Sequence, residues 1–204
     1  MTTYAWPAGF YVESWGLLQS HNNVVFTSVL NGESQTASLP GSRWGWSVGF
    51  RQESVDLRAA TEAWLTRLSG MQNRAQLYDL ARPVPRGTIS GTITASAASI
   101  FATSIVLNGM SNGQTLKAGD WFSVMLSTGV TQLLMCAADA TASGTSMTVE
   151  FRHALRAAVN GCAAVVISQP TGYYIMKQPE FGVPRAGAGK APSFTIEFRE
   201  VFVP

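Results

Sequence analysis

Hydrophobic positions alternate most sharply over residues 43–51. Trp44, Trp46, Val48 and Phe50 fall on one side, and Gly45, Ser47, Gly49 and Arg51 on the other. A period of two marks a strand with one apolar face. The period then changes. Leu57, Ala60, Trp64, Leu65 and Leu68 recur at helical spacing, while Arg58, Glu62 and Thr66 lie on another face. Ser54 is placed to cap this helix, Asp56 suits the positive end of its dipole, and Gly70 is placed to stop it in the left-handed conformation. Residues 76–80 read as a second strand before Pro83, Pro85 and Gly87 break the chain. The pattern predicts a helix packed on a sheet.

Ahead of this block, residues 1–20 are aromatic-rich and read as irregular, with Tyr4, Trp6, Phe10, Tyr11 and Trp15 interrupted by Pro7, Gly9 and Gly16. So apolar a segment needs cover, from its own sheet or from a neighbouring subunit. Residues 24–30 and 35–39 read as a hairpin turning at Asn31-Gly32. Beyond Gly87 the texture becomes Ser, Thr, Ala and Ile in short alternating runs. Strands are expected at 104–107, 121–126, 132–138, 147–151 and 163–168, separated by Gly-containing turns, with one helical turn at 153–159. Five strands at this spacing predict a small closed or nearly closed barrel. Residues 172–178 and 193–199 then read as strands again, and Val201 and Val203 switch parity, predicting a bulge or bend near Glu200. These late strands need a sheet to join. The organisation expected is therefore a discontinuous domain, residues 1–87 with 172–204, carrying 88–171 as an inserted barrel.

Composition bounds what such a chain does. Of 204 residues, 46% are hydrophobic and 13% charged, which excludes a disordered chain. The net charge of +2 is too small to imply nucleic-acid binding by itself. Low charge with six Trp and 19 Gly suggests that partners cover much of the surface. Cys136 and Cys162 read as buried free thiols of a reducing compartment, with a disulfide as the alternative. The opening MTTYAWPAGFYVES lacks the basic and apolar regions of a signal peptide, and no later run is long enough to span a membrane, so membrane anchoring is not expected.

Taken together, these features resemble the distal tail proteins of long-tailed, siphovirus-type bacteriophages. The features that carry the likeness are the N-terminal hairpin, Trp44-Gly45-Trp46 running into the helix, Leu116-Lys117-Ala118-Gly119-Asp120 in the barrel, and the alternation from Phe194 to Val201. The resemblance spans essentially the whole chain as architecture and contains no catalytic signature. It implies a tail-tube-like β-sandwich plus helix carrying an inserted OB-like β-barrel. It also implies a structural virion protein of the tail tip, assembled in the host cytoplasm. The expected assembly is a ring, usually a hexamer, joining the tail tube protein to the tail-tip hub protein around the channel through which DNA passes as cargo. The barrel would project outward, where it could hold fibres or touch host-surface sugars. The alternative is a carbohydrate- or fibre-binding adaptor acting through that barrel.

Candidate chemistry is sparse. RAGAGKAP at 185–192 looks like a phosphate-binding loop, but Pro184 precedes it, Ala191 follows Lys190, and a strand rather than a helix comes next. His153 with Cys136 or Cys162 would be needed for thiol catalysis, and Asp139 with Glu150 for glycoside hydrolysis, without support from spacing. Two His and two Cys without close spacing make no recognisable zinc site. Trp121 and Phe122 beside Lys117 offer the barrel one aromatic for stacking a polymer, since alternation sends the other inward. The expectation is a non-enzyme without cofactor or metal. Arg43, Trp44, Phe181, Arg185 and Lys190 are the expected subunit-interface residues, because Arg pairs with carboxylates and a long loop such as 179–192 is usually functional.

Overall fold

A computed structural model of the chain describes residues 1–7, 9–10, 12–51, 54–184 and 193–202. The strands in chain order are β1 (Thr3–Ala5), β2 (Val12–Ser20), β3 (Asn23–Thr27), β4 (Ser34–Ser38) and β5 (Arg43–Arg51). After the helix α1 (Val55–Leu68) come β6 (Arg74–Leu77), β7 (Thr94–Ala95), β8 (Ser104–Asn108), β9 (Thr115–Leu116), β10 (Trp121–Met125) and β11 (Thr131–Met135). The last are β12 (Ala140–Thr141), β13 (Ser146–Glu150), β14 (Ala163–Val166), β15 (Gly172–Met176) and β16 (Ser193–Glu200). The fold is mainly β, with a single helix among the described residues.

Two compact units form. The first comprises Met1–Leu18, Trp44–Pro83 and Thr171–Pro204, and the second Gln19–Arg43 and Val84–Pro170. The sequence reading assigned the β3–β4 hairpin to the first unit, whereas here it groups with the barrel. Its base is tied to the barrel loop after β13. The Arg156 guanidinium reaches the Ser42 carbonyl at 3.5 Å, and the His21 and His153 rings meet edge to face.

In the first unit, one sheet runs β1-β6-β15-β16-β5-β2. The alternation over 43–51 does what its period requires: Trp44, Trp46, Val48 and Phe50 are all buried, and β5 pairs antiparallel with β16 from Arg51↔Ser193 to Gly45↔Arg199. Gly45 and Gly49 sit where a Cβ would meet the Phe198 carbonyl at 2.9 Å and the Ser14 hydroxyl at 2.2 Å, so the strands flanking β5 approach because glycine stands there.

The Ser54 hydroxyl caps α1 by accepting from the Leu57 amide at 3.2 Å. Its buried face is Thr61, Trp64, Leu65 and Leu68. Ala60, expected on that face, is exposed. Thr61 replaces it, donating its hydroxyl to the Leu57 carbonyl at 2.8 Å so that the side chain is buried without an orphaned donor. The left-handed stop begins one residue earlier than expected, at Ser69, and continues through Gly70. Trp64 packs edge-on to Trp6 and Phe10 and donates its indole N–H to the Ala5 carbonyl at 3.1 Å. Each large side chain buried here stabilises the unit by about 2–3 kcal/mol.

Three further boundaries differ from expectation. The N-terminal segment read as irregular contains the nine-residue edge strand β2. The strand expected at 76–80 is β6, two residues earlier. β16 ends at Glu200, where the Val201 amide bonds the Tyr173 carbonyl at 2.9 Å.

In the second unit, a sheet of order β11-β10-β14-β7-β8-β13 curls back on itself. Past β11 the Ala137 amide bonds the Glu150 carbonyl of β13 at 2.8 Å, which makes the unit barrel-like. The five expected strands appear as β8, β10, β11, β13 and β14, around a core that includes Leu107, Phe122, Val124, Leu134, Val149 and Phe151. No helical turn forms at 153–159. The Leu155 amide instead bonds Ala102, and Val159 bridges Ala98 in both directions.

Candidate functional site

Among the described residues the β3–β4 hairpin is the most exposed apolar feature. Every residue of both strands is exposed, and β3 and β4 pair only with each other. The turn is wider than the Asn31-Gly32 pair predicts. Ser28 and Glu33 close it, with Ser28 N–H to the Glu33 carbonyl at 2.7 Å and Gly32 N–H to the Ser28 carbonyl at 3.0 Å. Residues 29–32 therefore form the tip, where Val29 is 100% and Leu30 98% exposed. Val25 and Phe26 add exposed apolar surface along the arm. A two-stranded ribbon alone is marginally stable in water, and open strand edges are normally blunted with charge. Glu33 is the only charged residue over 23–38. Sequence reasoning identified the hairpin but missed its tip. The legible signal was Val29-Leu30 directly before a turn in an otherwise polar segment.

The base of the arm is built differently. The Asn22 side chain donates to the Pro40 carbonyl at 2.8 Å, and the Leu39 amide donates to Asn22 at 2.8 Å, closing the ribbon. Below it, Gln132 of β11 fixes the barrel loop by donating to the Ala154 carbonyl at 3.1 Å and accepting from the Arg156 amide at 3.0 Å. This places His153, 2% exposed, against His21 with ring centroids 5.8 Å apart. Burial first, then the neighbouring His21 and Arg156, lowers the His153 pKa to about 4, so its ring is neutral at pH 7.

Of the five expected interface residues, three fall among the described ones. Trp44 is 3% exposed, so its side chain belongs to the core of the first unit and offers nothing to a neighbour. Arg43 is half-buried. Phe181 is half-buried in a cavity of about 260 Å³ with Met176, Gln178, Glu180, Ile196 and Glu197. Arg185 and Lys190, with the rest of the phosphate-loop-like stretch 185–192, lie outside the described residues.

The candidate catalytic groups have other partners. Cys136 is buried, its S–H donates to the Ala138 carbonyl at 2.8 Å, and burial pushes its pKa up to about 11, the reverse of an activated thiolate. Cys162 is exposed rather than buried, and both thiols are free. The Asp139 carboxylate accepts from the Ala118 amide and the Lys117 ammonium, each at 2.9 Å. The Ala118 bond first, then Lys117, lowers its pKa, whereas a glycosidase acid needs it raised. Trp121 and Phe122 are 2% and 0% exposed, so neither presents a stacking face. The barrel's exposed aromatic is instead Phe101, 54% exposed beside Ile100 and held at φ 66.

Among the described residues no group of three or more His, Cys, Asp or Glu is arranged to hold a metal ion, and no helix is long and apolar enough to cross a membrane. No protein-family model matches the chain, and no curated protein is significantly similar to it.

Proposed function

We propose that this chain is a structural assembly protein of a phage tail tip, a distal tail protein rather than an enzyme. Its copies associate head to tail and close into a ring, six-membered by the resemblance described above. The ring joins the tail tube to the tip hub around the DNA channel and is assembled in the host cytoplasm. The observation that carries this reading is the uncharged hairpin arm with Val29 and Leu30 fully exposed at its tip. Covering those two side chains contributes about 3–5 kcal/mol per contact, and a closed ring repeats the contact at every subunit. Such an arm has no use in a solitary catalyst, and the thiol and carboxylate candidates are held in non-catalytic states.

Native mass measurement of the purified protein with negative-stain imaging tests this. Rings are expected from the native chain, and dissociated subunits from a Val29→Asp, Leu30→Asp double variant. A chain that stays monomeric at every concentration, or releases fragments from peptidoglycan or host polysaccharide, overturns the reading.

A second reading, an adaptor that binds fibres or sugars through the barrel, draws on Phe101. A bulky residue held at positive φ in the open is strained, and such strain collects at functional positions. Loss of fibre or polysaccharide binding in Phe101→Ala, with rings intact, would favour it.

A further inference from the structure

We propose that the contact between His21 and His153 is a proton-sensitive latch, which holds the base of the hairpin arm against the barrel loop and releases it on acidification.

The geometry supplies the parts. His153 sits at the junction of two pieces of chain: the segment leading into β3, which brings His21, and the barrel loop 153–156, which brings Arg156. That loop is fixed from below by both polar atoms of the Gln132 side chain, independently of the arm. Besides burial, His21 from the arm and Arg156 from its own loop both oppose a proton on His153. With the arm seated, His153 is 2% exposed. With the arm lifted, its ring meets water.

The sign follows from linkage. The seated state binds the His153 proton with a pKa of about 4, and the lifted state approaches the model value of 6.5. The lifted state therefore takes up the proton first. Seating is strongest above pH 6.5, weakens as the pH falls through 6.5, and stops changing near pH 4. Between pH 7 and pH 5 the ratio of lifted to seated arms rises about twentyfold. The use of such a latch rests on the assembly reading, in which the arm makes the contact between copies. The latch itself is a property of one chain.

Hydrogen exchange of the full-length protein, read by mass spectrometry at pH 7 and pH 5 and corrected for intrinsic rates, tests it. Protection at the arm's base, around Leu39, and in loop 153–156 is expected to fall about twentyfold relative to the β10–β11 ladder. His153→Phe, which keeps a ring of similar size, is expected to abolish the pH response. A wild-type NMR titration of His153, expected to give a pKa well below 6, decides the matter if that variant does not fold. Equal protection at both pH values, loss spread evenly through the barrel, an unchanged response in His153→Phe, or titration of His153 near 6.5 would each overturn the latch. Ring mass at pH 7 is read separately. Missing rings with a working latch overturn only the assembly reading, and rings without pH-dependent release overturn only the latch.

Discussion

The Glu200 carboxylate accepts the backbone N–H of Trp44 at 2.9 Å, joining the end of β16 to the start of β5 inside the first unit. Glu200 is 1% exposed, so its side-chain oxygens are satisfied by protein partners rather than by water. Glu200→Ala leaves the Trp44 amide without that acceptor. The expected loss is about 1–3 kcal/mol of stability, measured by denaturant unfolding, with Glu200→Gln losing less. An unchanged midpoint in Glu200→Ala would show that the bond contributes nothing.

Asp120 performs the corresponding task in the second unit. Its carboxylate accepts the amides of Arg86, Gly87 and Lys117 at 2.9–3.1 Å, and the Arg86 guanidinium at 3.2 Å. Burial works to raise its pKa, but the amides and the guanidinium outweigh it and hold the pKa below 3.8. The resulting stability is present above that unfolded value and is lost as pH falls through the lower folded one, so only strong acid removes it. A fragment spanning 88–171 contains the whole barrel cluster and should fold. A fragment spanning 85–171 adds the Arg86 and Gly87 amides and should be more stable by about 1–3 kcal/mol. Equal thermal midpoints for the two fragments would refute this role for Asp120.

The two cysteines should separate cleanly in a thiol titration. In the native chain at pH 8, one thiol is expected to react with a maleimide, at Cys162. Cys136, buried and raised to about 11, should react only after denaturation. Peptide mapping reads the result directly, and native labelling of Cys136 would contradict the burial described.

The connection between β15 and β16 is far longer than pairing requires, since two residues suffice for a hairpin. Replacing 182–190 with a two-residue turn should leave the fold intact by circular dichroism and weaken ring formation or docking to the tube. Normal rings and normal tails from the shortened chain would remove this loop from the assembly surface.

Much of the fold was legible where one local signal acted without competition. Trp44 to Phe50 could be read because both neighbours of β5 demand the same parity, and α1 because Ser54 and its apolar spacing agree. Sequence reading failed where distant partners decide. β2 breaks strict alternation at Gly16 and Leu17 and owes its strand to the edge of a sheet assembled from remote segments. Residues 153–159 have a helical composition, but Ala98 and Ala102 claim their backbone groups. Trp44 was taken for a surface anchor because alternation gives the face and not what covers it. The meeting of His21 with His153 leaves no trace in spacing, since it depends on how a hairpin seats on a barrel.

The position of β16 between β15 and β5 fixes an order of events during synthesis. β5 and α1 leave the ribosome early, yet the strand that bonds the inner edge of β5 is made after the whole second unit. The barrel cluster, from Ile89 to Val165, is complete before β15 appears. The nascent chain therefore closes its inner unit first, while the enclosing one waits as an open half-sheet with Trp46 and Phe50 uncovered. Throughout that interval the edge of β5 is a template for wrong pairing. The step most exposed to aggregation is the arrival of β16, and conditions that slow translation between β14 and β16 should lower soluble yield without altering the finished protein.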